Sequence, residues 1–290
     1  MALKSQNIAA RKRLSRSVGG DVFVYAVLIF MAICLIFPLV YIISNSLKPY
    51  NELFIFPPKL YVINPTLDNY KDMFTVMSSS WVPFSRYVLN TAIITVVGTA
   101  GNLILGSMAA FAISKIRFPG CNFCFKLIVL SLMFSSVVTE IPNYLIISKL
   151  GWIDSHLAVI IPSFASSLGI YLMKQFIDQI PDTLIEAAEI DGANSTRIFY
   201  SIILPSVKPA WLTVIILSVQ SLWNSTGGKF IFSEQLKTLP VAMNDIAAGG
   251  IARSGVAAAA SVVMLSVPVT TFILAQSQVV ETMATSGMKE

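Results

Sequence analysis

Residues 181–205 bring charged groups, small residues and turn formers together inside a chain that is otherwise mostly apolar. Glu186-Ala187-Ala188 is followed by Asp191-Gly192-Ala193 and then by Ile202, Leu204 and Pro205. A carboxylate beside two alanines offers docking chemistry, because a small surface lets another protein approach closely and the carboxylate can meet a basic group. We expect no catalytic residue in this stretch.

Local sequence signals predict how these residues are held. Pro181 suits the first turn of a helix, and Asp182 and Glu186 place negative charge near its positive N-terminal end. Gly192 can adopt the left-handed conformation that ends such a helix. Asn194 or Ser195 can cap a second helix that is ended by Pro205 and carries one apolar face, formed by Ile198, Phe199, Ile202 and Ile203. The predicted unit is a short helix–turn–helix.

Composition excludes an ordinary soluble domain. Of 290 residues, 55% are hydrophobic and 12% are charged, whereas a soluble domain carries about a quarter charged residues. Mean hydropathy is +0.74 and the isoelectric point is about 9.1. We predict an all-α integral membrane protein, whose net charge of +5 suits a positive cytoplasmic face rather than a nucleic-acid partner.

Apolar runs divide the chain into a basic N-terminal segment (1–21), a transmembrane domain (22–280) and a C-terminal tail (281–290). About six membrane-spanning helices are predicted, together with an external loop over 44–86 that contains short helices and turns. The helix–turn–helix lies in a loop over 177–208. Pro142, Pro162 and Pro268 are expected to kink their helices. The spans are 22–43, 87–113, 123–147, 157–176, 209–223 and 256–275.

Basic residues predict the orientation. The N-terminus carries Lys4, Arg11, Lys12, Arg13 and Arg16 directly before the first apolar run. Such a cluster stays in the cytoplasm. With an even number of spans, both termini and the Glu186 hairpin are then cytoplasmic, and we expect a multi-pass protein of the plasma membrane.

Other reactive side chains give weaker signals. The three cysteines, Cys34, Cys121 and Cys124, offer no disulfide framework, and the single histidine, His156, has no metal-ligand neighbours. We therefore predict no metal site. Glu140 is an acid well inside an apolar span, so it either lines a translocation pathway or lies near the outer interface.

The pattern Glu-Ala-Ala, three residues, Gly, nine residues, Ile-x-Leu-Pro at 186–205 strongly resembles the EAA loop of bacterial ABC importers. In that family the loop is the coupling element that docks on the ATP-hydrolysing subunit. The alternative is an ordinary helical hairpin, possible also in DNA-binding proteins. Flanking membrane spans and acidic charge disfavour that alternative.

Further segments resemble the permease subunits of carbohydrate-uptake ABC importers, and most closely the smaller maltose-type permease. They are Ser46-Leu47-Lys48-Pro49, Phe56-Pro57-Pro58, Asn69-Tyr70-Lys71, Trp223-Asn224, Thr238-Leu239-Pro240 and the ending Gly287-Met288-Lys289. One departure is Ser225-Thr226-Gly227-Gly228, because the family usually continues Trp-Asn with an acidic residue and Phe. This departure leaves the sugar unidentified.

The resemblance implies a half-transporter with the type I importer permease fold. It implies pairing with a second permease, two ATPase subunits that bind ATP and Mg²⁺, an extracellular solute-binding protein that delivers a sugar, and surrounding lipid. Glu186 would enter a groove of the ATPase, and a tail with Gly287 and Lys289 would reach between the ATPase subunits.

The chain itself lacks a Gly-x-x-x-x-Gly-Lys-Ser/Thr phosphate loop, so we expect a transport subunit without bound cofactor rather than an enzyme. The alternatives are a permease of an ABC importer for a non-sugar solute and, further away, an ion-coupled secondary transporter or a membrane-embedded enzyme.

Overall fold

The computed structural model describes residues 18–78, 81–116, 118–225, 227 and 229–286, and every regular element within them is helical. The α-helices are α1 (Val18–Leu47), α2 (Tyr50–Leu53), α3 (Asp68–Ser78), α4 (Phe84–Lys115), α5 (Cys121–Ser131), α6 (Ser136–Lys149), α7 (Leu157–Ser163), α8 (Ser167–Ile177), α9 (Asp182–Ile190), α10 (Ser195–Ile198), α11 (Leu204–Ser206), α12 (Lys208–Trp223), α13 (Leu239–Ala247) and α14 (Ser254–Ser286). A π-turn covers Phe199–Ile203, and 3₁₀ turns cover Glu234–Leu236 and Ile251–Arg253.

The long apolar helices account for the predicted membrane character. Among the described residues, 4 helical segments are long and apolar enough to cross a membrane. The number rises to 5 if α12 and the helical run Ser195–Ser206, which meet at a bend of 81°, form one broken span. The structure therefore confirms an all-helical membrane protein, whereas the count of about six crossings stays a prediction.

The third predicted span, 123–147, is not one helix. It is divided into α5 and α6 at residues 132–135, and neither half alone is long enough to cross a bilayer. Ser135 begins α6, since its hydroxyl oxygen accepts a hydrogen bond from the backbone N–H of Val137 at 3.4 Å. The interruption thus occurs at a serine cap, while α6 runs on through Pro142, where we had predicted a kink.

The fourth predicted span corresponds to Leu157–Ile177, a segment of 21 residues that is long and apolar enough to cross a membrane, with a short break between α7 and α8. Helix α7 ends at Ser163, directly after Pro162, and α8 begins after Ser166, whose hydroxyl accepts from the N–H of Gly169 at 3.2 Å. A proline near a helix end and a serine cap about one turn later are sufficient to separate the two helices.

Short helices occupy the predicted external loop, as expected. The side chain of Asn69 at the start of α3 donates to the carbonyl oxygens of Ser46 (3.0 Å) and Lys48 (2.7 Å). The Ser46 carbonyl lies in the last turn of α1 and the Lys48 carbonyl just beyond it, so neither has a partner within the helix. The contact anchors the loop to the first span.

Two separate apolar cores form at opposite ends of α4 and α12. One joins Tyr87 and Trp223 to α3, α13 and the start of α14. The other, called the inner apolar core below, joins Phe111 near the end of α4, Val214 in α12 and Ile177 in α8 to the residues of the 182–207 hairpin. The same helices therefore carry the loop at one end and the hairpin at the other.

Candidate functional site

The first helix of the hairpin, α9, is attached to the end of α4. The Lys115 ammonium donates to the Asp182 carboxylate and to the carbonyl of Ile180, both at 2.6 Å. The Lys115 side chain is only 8% exposed, whereas the Asp182 side chain is 69% exposed, so the lysine is buried but its carboxylate partner lies at the surface. The contact fixes where α9 begins relative to the membrane span.

Gly192 ends α9 in the left-handed conformation, with φ of +81°. The N–H of Gly192 donates to the carbonyl of Glu189 (3.0 Å), and the N–H of Ala193 donates to the carbonyl of Ala188 (2.9 Å). These two bonds constitute a Schellman motif, in which residues beyond the helix satisfy its last carbonyls. The predicted helix stop at Gly192 is confirmed.

The second helix begins as predicted but does not end where predicted. The Asn194 side-chain oxygen accepts from the N–H of Arg197 at 2.8 Å and caps α10. The helical run then widens into the π-turn, where the N–H of Leu204 donates to the carbonyl of Phe199. It passes Pro205 and ends at Ser206.

The prediction that Pro205 ends this helix is therefore wrong. A proline ring normally collides with the carbonyl one turn earlier in an α-helix, and a wider turn before it relieves that collision. Proline also removes one backbone donor. At the end of this run, before the bend that leads into α12, the carbonyl of Leu204 accepts a hydrogen bond from the indole N–H of Trp211 at 3.2 Å.

The residues of the predicted docking surface face two ways. Glu186, Ala187, Asp191, Gly192 and Pro205 are exposed. Ala188 is buried and, with the half-buried Ala193, Ile202 and Leu204, packs into the inner apolar core. Of the two alanines expected at the surface, only Ala187 is thus available to another protein. Ala188 holds the hairpin against this chain.

Glu140 in α6 forms an ion pair with Lys229, in the segment that follows α12. Both side chains are partly exposed, and one turn further on the Tyr144 ring stacks on Phe230 with centroids 6.1 Å apart. The ion pair and the ring stack attach the 229–230 segment to α6. Whether Glu140 serves a translocation pathway stays a prediction.

Asp154 makes a second attachment to the same segment. It adopts a left-handed φ of +59°, and its carboxylate accepts hydrogen bonds from the Ser233 hydroxyl and from the N–H groups of Ser233 (2.8 Å) and Phe232 (2.9 Å). These bonds, above all the one from the Ser233 hydroxyl, lower the pKa of Asp154. This contact could not be predicted from the sequence, because Asp154 and Ser233 are 79 positions apart.

A cavity of about 320 Å³ lies between α4, α7, α8 and α12. Its polar groups are Asn102, Ser163, Ser166, Ser218 and Ser221. Asn102 is 4% exposed, and its amide nitrogen donates to the Ser218 hydroxyl at 2.7 Å. Sequence reasoning missed Asn102, although an amide among Gly98, Gly101 and Gly106 in an apolar run is a signal of an intramembrane polar site.

Gly287 and Lys289 lie outside the described residues. Within the described part of the chain, no group of three or more His, Cys, Asp or Glu side chains could hold a metal ion. His156 contacts the carbonyl of Leu236 at 3.1 Å through its Nε2 atom.

Long apolar helices, and a capped hairpin anchored to them, define an all-helical membrane protein that crosses the bilayer several times. A family model described as "binding-protein-dependent transport system inner membrane component" matches residues 8–281. The chain belongs to this family. It is accordingly a permease component of the inner membrane, and the predicted resemblance is confirmed.

Named relatives extend along most of the chain. The galactooligosaccharides transport system permease protein GanQ of Bacillus subtilis (strain 168) is 31% identical over 278 residues, covering 92% of this chain and 95% of that protein. The sn-glycerol-3-phosphate transport system permease protein UgpE of Pectobacterium atrosepticum is 30% identical over 207 residues, covering 71% of this chain and 74% of that protein.

A solved structure shares the fold. It is the crystal structure of a bacterial ABC transporter involved in the import of the acidic polysaccharide alginate, with a TM-score of 0.78 and 24% identity. The match covers 91% of this chain and 99% of that one.

Proposed function

We propose that this chain is the permease subunit of an ATP-driven importer that moves a sugar or oligosaccharide across the membrane by alternating access. The single observation that carries the proposal is the hairpin of residues 182–207. Its turn is closed by the Schellman bonds at Gly192, its inner face is packed on α4, α8 and α12, and its outer face presents Glu186 and Ala187. Such a surface suits docking of a protein that drives transport.

Two ATPase subunits are the proposed occupants of that surface. Because the sequence contains no phosphate loop, ATP and Mg²⁺ would be bound by those subunits. Glu186 would face a basic group of the ATPase, and Ala187 would allow close approach. Asp191 and Pro205, exposed on the same hairpin, would border the contact, and the tail with Gly287 and Lys289 would add a second one.

A second permease and an external binding protein complete the proposed complex. Helix α1 exposes apolar side chains along most of its length, which suits contact with lipid and with a partner permease. An alginate ABC transporter that shares the fold has been solved in complex with a periplasmic protein that carries a pentasaccharide. The N-terminal basic cluster supports cytoplasmic termini, and Glu140, paired with Lys229, is our candidate for the outer part of the pathway.

Sugar is the proposed solute because GanQ, which matches over most of both chains, is named for galactooligosaccharide transport. The relative named for sn-glycerol-3-phosphate transport makes a non-sugar solute the alternative. An ion-coupled transporter would depend on an ion gradient instead of ATP.

Reconstitution of the importer in proteoliposomes tests the proposal. The complete complex is expected to hydrolyse ATP faster when the loaded binding protein is added. Uptake of labelled galactooligosaccharide should require ATP in the vesicle lumen, the side that corresponds to the cytoplasm. The purified chain alone should not hydrolyse ATP. Robust hydrolysis by the isolated chain, or uptake that is abolished by an ionophore and indifferent to ATP, would overturn the proposal.

A further inference from the structure

The loop that follows α1 contains an apolar segment at residues 54–63. It reads Phe-Ile-Phe-Pro-Pro-Lys-Leu-Tyr-Val-Ile and has one charged residue, Lys59. Its large side chains are not packed into the protein, since Phe56 is 91% exposed and Tyr61 is 64% exposed. A run of exposed apolar and aromatic side chains marks a surface that contacts another protein or a membrane.

Hydrogen bonds fold this segment back along α1. The N–H of Thr66 donates to the carbonyl of Leu47, the last residue of α1, at 2.9 Å. The hydroxyl of Ser44, which lies about one turn before the end of α1, donates to the carbonyl of Leu60 at 2.5 Å. From Thr66 back to Leu60 the chain therefore runs along α1 from its end toward its middle, and so toward the membrane.

The position along α1 sets the depth of the segment. Gly19–Leu47 is apolar enough to cross a membrane, with a mean hydropathy of 2.9, and its most apolar stretch is not buried in the protein. The apolar run 22–43 is about 33 Å long, close to the hydrocarbon thickness of about 30 Å. Ser44, and Leu60 beside it, then lie at the boundary of the hydrocarbon. The lipid headgroups extend about 5–7 Å beyond that boundary, so the last turn of α1 lies among them.

Backbone groups at the base of the loop are bonded within the protein. The Glu52 carboxylate accepts hydrogen bonds from the N–H of Ile63 at 3.1 Å and from the N–H of Asn64 at 3.0 Å. Pro57 and Pro58 have no N–H group at all. Unpaired backbone groups oppose entry into lipid, and these features lower that cost for the segment.

The one cation of the segment suits a lipid headgroup. The Lys59 ammonium lies 5.7 Å from the centroid of the Tyr61 ring, and the Lys59 carbonyl accepts a hydrogen bond from the Lys48 ammonium. Tyrosine rings are enriched at the membrane–water interface. A lysine there keeps its apolar stem in the lipid and its charge at the surface, where lipid phosphates can pair with it.

We propose that residues 54–63 insert their apolar side chains into the outer leaflet of the bilayer, with Lys59 level with the lipid phosphates. Lipid is the partner because the bond to Ser44 holds Leu60 at the membrane boundary, and the exposed apolar surface of α1 continues directly into the segment. The loop is thus an anchor that fixes the depth of the outer end of α1. Insertion goes beyond the proposed function, and only the choice of leaflet rests on the proposed orientation.

Fluorescence quenching in the complete complex tests the anchor. In a permease with Cys34, Cys121 and Cys124 replaced by alanine, bimane is attached at Phe56→Cys, and the complex is placed in phosphatidylcholine nanodiscs. Lipid that carries a nitroxide near the start of its acyl chain is expected to remove most of the emission, whereas iodide in the water should remove little. The control is Asp68→Cys, an exposed position at the start of α3, which should respond in the opposite way.

A second labelled position covers the case in which the label at Phe56→Cys displaces the loop. Bimane at Tyr61→Cys, also exposed, should show the same loss of emission with the nitroxide lipid. Adding the loaded binding protein should leave the quenching by lipid unchanged at both positions, because the segment contacts lipid and not that protein.

Three results would overturn the anchor. Quenching by iodide and not by the nitroxide lipid places the segment in water. Quenching by iodide that disappears when the binding protein is added makes the segment a docking surface for that protein. Absence of quenching by either agent means that another subunit, such as the second permease, covers the segment. All readings are made without ATP, so a complex that fails to take up sugar contradicts the proposed function and leaves the test of the anchor intact.

Discussion

The backbone N–H of Ala193 donates to the carbonyl oxygen of Ala188 at 2.9 Å, across the left-handed turn at Gly192. The two alanines also share the inner apolar core. This combination of a backbone bond and an apolar contact around the turn sets the angle between α9 and α10. The direction in which Glu186 points therefore depends on the Gly192 turn at one end of α9 as well as on the Lys115 contact at the other.

Gly192→Val should detach the ATPase subunits. A methyl group at Gly192 would meet no atom within 4 Å, so the penalty arises only from the left-handed backbone, at about 1–2 kcal/mol or more for a β-branched residue. The turn should open and misplace the docking surface, which co-purification with the ATPase measures. Gly192→Asn is the control, because asparagine tolerates this conformation. A valine variant that assembles and transports like the parent would contradict the role of this hairpin.

Glu186→Ala should uncouple the complex without dissociating it. Alanine keeps the helix and the turn and removes only an exposed carboxylate. Co-purification with the ATPase is expected to be normal, while sugar uptake per ATP hydrolysed in vesicles falls severalfold. Glu189→Ala, the same charge change one turn later, serves as control and should have a smaller effect. Equal effects of the two variants would show that the position of the charge is unimportant.

Acid should release the segment that follows α12 from Asp154. The folded-state pKa of Asp154 is lowered, so its stabilising bonds are fully present above the unfolded-state pKa of about 3.9 and are lost as pH falls through the folded-state value. Hydrogen exchange at Phe232 and Ser233 should therefore be slow at pH 7 and approach that of Asp154→Asn only below about pH 4.

Asp68→Asn, which changes a carboxylate paired with Lys71 on α3, is the control for the Asp154 experiment and should leave that exchange unchanged. If the exchange of parent and Asp154→Asn proteins were identical at pH 7, the carboxylate would not hold the segment.

Cysteine labelling in intact cells should reveal the orientation. In a background with the native cysteines replaced, an impermeant reagent applied outside is expected to modify Asp68→Cys at once. It should modify Ser195→Cys only after permeabilisation, since the basic N-terminal cluster keeps the hairpin inside. Both positions are exposed, so accessibility within the fold does not limit either reaction. The opposite labelling pattern would invert the proposed orientation.

Local chemistry made the hairpin predictable from the sequence. The cap of α10 at Asn194 and the end of α9 at Gly192 could be predicted because each depends only on residues within one helical turn. The long apolar helices were predictable for a similar reason, since length and hydropathy alone decide them. Even Pro205 was identified as a special position, although the π-turn before it, which lets the helix continue, could not be inferred.

Contacts between distant residues were not predictable in the same way. Asn102 and Ser218 are separated by 116 positions, and Asp154 and Ser233 by 79. Both pairs depend on how the helices pack. The division of the third span at Ser135 also escaped prediction, because a serine cap inside an apolar run competes with helix continuation and tertiary packing decides the result.

The shared core of the hairpin and the spans makes this end of the protein one rigid unit. Ile198 and Ile203 are almost fully buried against residues of α4, α8 and α12, and close-packed interiors resist compression. A movement of α9 would therefore be transmitted to the packed helices and not absorbed by deformation of the hairpin. A force applied to the hairpin in the cytoplasm would therefore be transmitted through the sharp bend before α12. It would rotate α12 and move Ser218, which lies within the membrane-embedded part of that helix.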